Sequence, residues 1–201
     1  MPDDFESRTK ARLEALTTVS QVLRQARDGK AENVARVLNT AMFLLLVDQD
    51  LAEYMQDLRH AADDQRRQFV AKHLATLLYE ASEDLPKLLG KDFRRSVEWL
   101  SPPATIRTAL NRVASDLNRY WRAHQDFLDR IRNAVAAHRD HDCLVYADVL
   151  ASVQPLEMAG LAAAFSSPLR ELANVVTSLL DRCGPAVIAK DILRGLDKAR
   201  G

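Results

Sequence analysis

The chain has 201 residues, 47% of them hydrophobic, which is enough to bury a sizeable core in a single domain spanning residues 1–201. The 28 basic and 28 acidic residues cancel, which excludes a strong net field that would draw the protein to nucleic acid or to an anionic membrane. Any contact with RNA must therefore rest on a local group of charges.

Neither a membrane span nor a secretory signal is predicted. The longest apolar run, Met42–Val47, is far too short to cross a bilayer, and the acidic start Met1–Asp4 has neither a basic segment nor an apolar one. The two cysteines, Cys143 and Cys183, are far apart in the sequence, so we expect reduced thiols. These features predict a cytoplasmic protein with no membrane contact.

Proline and glycine are scarce and divide the chain into pieces of helical length, which favours an all-α fold. The apolar residues of 4–28 recur at helical spacing, and Gly29 supplies a stop. A second helix is predicted to begin near Ala31 and to continue to about His60. We see no alternating pattern that predicts a sheet.

A third helix is predicted to begin at Asp63 or Asp64, either of which can cap it. The apolar stripe of this helix consists of Phe69, Val70, Leu74, Leu77 and Leu78. Pro86 should kink or end the helix, because proline lacks the backbone N–H of a helical residue. A short amphipathic segment over 93–100 follows.

The longest helical pattern comes after the break at Ser101–Pro103 and runs from about residue 104 to 139. Its apolar residues follow one another at steps of three and four. They include Tyr120 and Trp121, which we expect to pack in the core or in a dimer seam rather than to stack on bases. The predicted fold is therefore an all-α bundle with one long central helix.

The C-terminal part of the chain is predicted to contain shorter helices. An apolar segment spans about 144–153, and Ser167–Pro168 fits an N-cap followed by proline at the first helical position. Gly184–Pro185 should close the helix that starts there. A last helix is expected over about 186–198.

The end of the long helix carries the strongest chemical signal. Arg132 is followed by the polar Asn133, and His138 comes six positions after the arginine. On a regular α-helix the arginine and the histidine lie about 120° apart, yet a long arginine side chain at an irregular final turn lets both reach one phosphate. The helix dipole favours a protonated histidine at this end, which suits acid and base chemistry.

The pattern Arg132-Asn133-x4-His138-x-Asp140 resembles the Arg-x(4–6)-His motif of the HEPN superfamily. It is most similar to the form found in the abortive-infection and toxin-type branches. The close match covers about ten residues, and the wider likeness is that of an all-helical chain with a long, late motif helix. The resemblance implies a HEPN-like helical bundle.

The resemblance further implies a metal-independent endoribonuclease that needs no cofactor. His138 is then the general base or acid, Arg132 stabilises the charge that grows on the phosphoryl oxygens, and Asn133 orients the substrate or the imidazole. Arg130 and Arg139, which flank the motif, are the expected RNA contacts.

Partners are also implied by the resemblance. Family members commonly form homodimers in which two motifs line one cleft, and the toxin-type branches act in bacterial defence or beside an antitoxin protein. RNA is the expected substrate. Because many HEPN domains are catalytically silent, a second interpretation stays open, namely a non-catalytic helical bundle that mediates dimerisation or binds a partner protein.

A metal site is a further alternative, because potential ligands are crowded directly after the motif. These are His138, Asp140, His141, Asp142 and Cys143. No other part of the sequence offers ligands at a matching spacing, so we favour a polar loop without metal.

Charged residues elsewhere are expected to form ordinary surface pairs. Asp126 and Asp129 are spaced to pair with Arg130 or Arg132 and to set their orientation. The pair Arg66-Arg67 is a candidate phosphate contact, although such pairs more commonly form a solvated helix face.

Overall fold

The computed structural model describes residues 3–136 and 143–182, and every regular element within these ranges is helical. In chain order the elements are α1 (Asp3–Asp28), α2 (Glu32–His60), α3 (Asp64–Leu88), α4 (Lys91–Trp99), α5 (Ala104–Ile131), a π-helical segment (Arg132–Ala136), α6 (Cys143–Ser152) and α7 (Pro155–Leu180). The prediction of an all-α fold is confirmed. The HEPN-like arrangement of the helices stays a prediction.

The end of α1 shows how local sequence sets a helix boundary. The backbone N–H of Ala31 donates to the carbonyl of Ala26 (2.8 Å), and that of Lys30 donates to Arg27 (3.0 Å), which is the hydrogen-bond pattern of a Schellman motif. The stop was predicted at Gly29, but the left-handed residue is Lys30, with a φ of 56°. The helix therefore ends at Asp28, as predicted, and the left-handed residue lies one position beyond the glycine.

Pro86 lies inside α3, and the helix ends two residues later at Leu88, before Gly90, so the predicted end of the helix is confirmed. Burial of apolar side chains on both sides of the proline offsets the backbone hydrogen bond that it loses. Leu85 in the helix and Leu89 directly after it are both buried.

The predicted start of α7 is corrected by the structure. Ser167–Pro168 lies inside this helix, which begins at Pro155, so it is Pro155 that occupies the favoured first helical position. Leu169 and Leu172 are buried directly after the internal proline, and their packing maintains the helix there. The predicted stop at Gly184–Pro185 and the predicted helix over 186–198 lie outside the described residues.

Contacts among the described residues group them into two compact units. The first comprises residues 3–46, 88–114 and 170–182. A cluster of buried apolar side chains lies at the turn between α1 and α2, and its members are Leu23, Ala26, Ala31, Val34 and Leu38. The unit is further tied by Arg94, which donates to Asn111 (2.6 Å), and by the ion pair between Arg107 and Glu98 (2.8 Å).

The second unit comprises residues 47–87 and 115–169, and it contains the motif arginine. In the core of this unit, side chains of α5 pack against α7. The Tyr120 hydroxyl donates to the carbonyl of Leu161 (3.2 Å), and the Tyr120 ring lies 5.1 Å from that of Phe165. Burial raises the pKa of Tyr120. The prediction that Tyr120 packs in the core is confirmed, whereas Phe69, a member of the predicted apolar stripe of α3, is 46% exposed.

Within the described residues, no single helix is long and apolar enough to cross a bilayer. The pair α6 and α7, which meet at a bend of 65°, satisfies the length and composition criteria only when the two helices are taken together.

Candidate functional site

The long helix changes its geometry at the motif. The α-helix ends at Ile131, and the backbone continues as a π-helical segment over Arg132–Ala136. Leu128, Ile131 and Ala134 are buried and anchor this part of the chain to the core. A π-helical segment follows i→i+5 hydrogen bonding, so the 120° separation expected for a regular α-helix does not apply across it. π-helical segments are rare in proteins, but those that do occur are often found at functional sites.

Arg132 is held from two sides. Its Cζ lies 5.0 Å from the ring centroid of Tyr79 on α3, in a cation–π contact, and its Nη1 donates to Oδ1 of Asn133 (3.1 Å). Its Nε is buried and has no hydrogen-bond partner among the described residues. An unsatisfied buried donor on a charged group costs about 1–3 kcal/mol or more, and a catalytic role is one explanation for such a group.

Asn133 is exposed but fixed in orientation. Its Nδ2 donates to Oδ1 of Asp129, one turn earlier on α5 (2.9 Å). The pKa of Tyr79 is raised, first by burial and then by the negative charges of Glu83 and Asp129. Contacts and charge interactions therefore link Tyr79, Asp129, Arg132 and Asn133, and we call this group the Arg132 network.

The predicted pairing of Asp129 takes a different form. Asp129 accepts a hydrogen bond from Asn133 and acts on the arginine through that side chain. Arg130 instead donates to Oγ of Ser152 on α6 (3.4 Å) and remains exposed.

Tyr79 is the component of the network that the sequence did not reveal. It lies on α3, far from the motif in the chain, and no local pattern distinguishes it from a core aromatic residue. Trp121 packs edge-on against its ring at a centroid distance of 5.2 Å. Trp121 is therefore half-buried in a contact that supports Tyr79.

Several predicted site residues lie outside the described residues. They are His138 and Arg139 of the motif and the neighbouring Asp140, His141 and Asp142. Of the alternative metal cluster, only Cys143 is described, as an exposed free thiol. In the described parts of the chain, no group of three or more histidine, cysteine or acidic side chains is placed to hold a metal ion.

The arrangement is suited to binding an anion. A guanidinium has five N–H donors, and Asn133 accepts from one of them. The contact with the Tyr79 ring and the hydrogen bond to Asn133 restrict the side chain before any ligand arrives, which lowers the entropic cost of binding.

Comparisons with protein-family models, with characterised proteins and with solved structures each gave no match.

Proposed function

We propose that the protein is a metal-independent endoribonuclease of HEPN type, with Arg132, Asn133 and His138 as its catalytic residues. The observation that supports this most directly is the Arg132 network. A partly exposed guanidinium is held against an aromatic ring, and its buried Nε has no partner among the described residues. If Arg132 had only a structural role, its buried Nε–H group would be expected to donate a hydrogen bond to another group of the protein.

The reaction that fits these residues is an internal transesterification. The ribose 2′-oxygen attacks the adjacent phosphorus, the bond to the 5′-oxygen breaks, and the products are a 2′,3′-cyclic phosphate and a 5′-hydroxyl. His138 accepts the 2′-hydroxyl proton or donates a proton to the leaving oxygen. Arg132 stabilises the negative charge on the phosphoryl oxygens in the transition state.

The proposal includes an assembly and a setting. In a homodimer, two copies of the motif would line one cleft, and two Arg132 side chains would create the positive field that the balanced composition does not supply. Arg130 and Arg139 would contact the RNA. We place the protein in the bacterial cytoplasm, in defence or in a toxin–antitoxin pair whose second member is an antitoxin protein.

Incubation of the purified protein with mixed RNA tests the proposal. We expect cleavage to persist in excess EDTA, because no step uses a metal, and the new 3′ ends to carry a cyclic phosphate. An identically purified Arg132→Ala protein controls for contaminating nuclease. Absence of cleavage, or complete loss of cleavage on chelation, would rule the mechanism out.

The Tyr79 ring has a separate, testable role in positioning Arg132. Tyr79→Leu removes the cation–π contact and is expected to lower kcat by roughly 2- to 30-fold, because such contacts are worth about 0.5–2 kcal/mol. Tyr79→Phe keeps the ring and should retain most of the activity. The measurement is kcat and KM of RNA cleavage for both variants.

Tyr54→Leu is the matched control for these variants, since Tyr54 is a tyrosine of the same unit that stacks on His73 outside the Arg132 network. It should cleave RNA like the wild type. Equal losses in Tyr79→Phe and Tyr79→Leu would show that the hydroxyl, not the ring, positions the arginine.

A second function is supported by a different observation. Leu144 and Leu156 are 76% and 89% exposed, and exposed apolar side chains at the start of α6 and α7 suit self-association or the binding of a partner protein. In this alternative the protein is not an enzyme. It predicts self-association that depends on these leucines, together with no cleavage of any RNA.

A further inference from the structure

A groove lies between α3 and α6 in the second unit, with a cavity volume of about 580 Å³. That volume is within the range of about 300–1,000 Å³ that is usual for ligand pockets. We call it the Phe69 groove. The lining residues that matter here are Gln65, Gln68, Phe69 and Lys72 from α3, and Tyr146 and Leu150 from α6.

The Phe69 groove presents an exposed aromatic ring beside cations. Phe69 is 46% exposed. Nζ of Lys72 lies 5.1 Å and Cζ of Arg66 lies 5.2 Å from its ring centroid. His73 packs edge-on against the same ring at 4.5 Å, so the ring is supported by its neighbours although it faces solvent.

The two walls of the groove are fixed to each other. Nε2 of Gln68 on α3 donates to the carbonyl of Leu150 (2.6 Å) and to that of Val153 (2.9 Å), at the C-terminal end of α6. These hydrogen bonds satisfy carbonyls that a helix end leaves without an intrahelical partner. The groove is therefore formed before any ligand binds, which lowers the entropic cost of binding.

The electrostatics of the groove favour an anion. Arg66 pairs with Asp57 (3.3 Å), and the carboxylate of Asp64, which also lines the groove, pairs with Arg67 (2.7 Å). Lys72 is the lining cation closest to the ring. The pKa of His73 is lowered, first by burial and then by the positive charges of Lys72 and Arg66.

We propose that the Phe69 groove binds one nucleotide of single-stranded RNA, with the base stacked against Phe69 in place of the Arg66 guanidinium and the adjacent phosphate bound by Lys72. A nucleotide combines a flat aromatic base with an anionic phosphate, and these two parts match an exposed ring beside a cation. Tyr146 supplies a second aromatic residue from the opposite wall.

The choice of RNA as the ligand rests on the proposed function. The Phe69 groove and the motif share one element, because α6 packs against the π-helical segment that contains Arg132 and lines the groove as well. Arg130, beside the motif, contacts Ser152 at the end of the same helix. An RNA strand that extends from the groove along α6 would thus reach the Arg132 network.

Binding is measured with the full-length protein and a fluorescent 12-nucleotide 2′-O-methyl RNA, which lacks the attacking hydroxyl and is not cleaved by the proposed mechanism. Phe69→Ala should weaken binding about tenfold, since one base stack is worth roughly 1–3 kcal/mol. It should not weaken binding of an abasic oligomer of equal length. Lys72→Gln should weaken binding of both oligomers and lower the salt dependence, consistent with one lost phosphate contact.

Matched controls separate the groove from general surface effects. Leu46→Ala removes an apolar side chain of similar exposure (44%), and Lys91→Gln removes an exposed lysine from α4. Both should bind the 2′-O-methyl RNA like the wild type. Circular dichroism of each variant confirms that the helical fold is intact.

The outcomes distinguish the two proposals. If the wild type cleaves RNA but Phe69→Ala binds the 2′-O-methyl RNA normally, the groove proposal fails and the ribonuclease stands. If binding depends on Phe69 but no RNA is cleaved, the ribonuclease fails and the groove stands as an RNA-binding surface. A change of oligomeric state in Phe69→Ala, with no RNA binding by the wild type, would overturn the groove proposal in favour of an interface between copies.

Discussion

Replacement of Arg132 or His138 by alanine is expected to lower RNA cleavage by about 10²–10⁴-fold. This is the typical contribution of a positioned proton-transfer residue, and a similar loss is expected when a donor to a charged transition state is removed. Because both groups act on the same phosphate, the double variant should be little worse than either single variant. The measurement is kcat/KM for a defined oligonucleotide.

Arg132→Lys tests whether charge alone is sufficient. Lysine keeps the positive charge but loses the planar fork of donors and the stacked contact with Tyr79. We therefore expect this variant to remain close to the alanine variant in activity. Recovery of wild-type cleavage by lysine would show that the geometry of the Arg132 network has no catalytic role.

Arg119→Ala is the matched control, because Arg119 lies on the same helix and forms an exposed ion pair with Asp116 (2.7 Å). An exposed pair of this kind contributes little to stability, so neither cleavage nor folding should change. Arg132→Ala should also fold normally, since it removes a buried donor without a partner among the described residues. If Arg132→Ala instead unfolds the protein, the arginine is structural and the enzyme proposal loses its main support.

The predictable parts of the fold are those set by neighbouring residues. The first two helices end close to their predicted boundaries because helical periodicity and the turn at Gly29 and Lys30 act over a few positions. Pro168 was misinterpreted because its cost is offset by packing against distant helices, which a local pattern does not contain.

The same distinction applies to the candidate site. Arg132 and Asn133 were identified from adjacent residue types, whereas the contact with Tyr79 depends on how α3 meets α5. The π-helical segment was not foreseen, because a regular α-helix was assumed up to residue 139. The exposure of Phe69 was missed for a related reason, as its place in an apolar stripe indicates a core position unless the facing helix is known.

Phe165→Ala is expected to lower the free energy of unfolding by about 3–5 kcal/mol, the usual cost of removing a fully buried phenylalanine. Phe165 is inaccessible to solvent and packs against Tyr120, whose hydroxyl is bound to Leu161 of the same helix. The substitution leaves a cavity beside a buried polar group. Urea unfolding followed by circular dichroism gives the value.

Phe69→Ala supplies the comparison within the same unit, since it removes the same side chain from a half-exposed position. This substitution should lower the free energy of unfolding by no more than about 1 kcal/mol, because little apolar surface is lost from the core. The loss in the free energy of unfolding for Phe165→Leu should fall between the losses for Phe165→Ala and Phe69→Ala, because leucine keeps part of the buried volume. Equal costs for Phe165→Ala and Phe69→Ala would contradict the packing of α7 on α5, and with it the framework that holds the end of α5 and Arg132 in place.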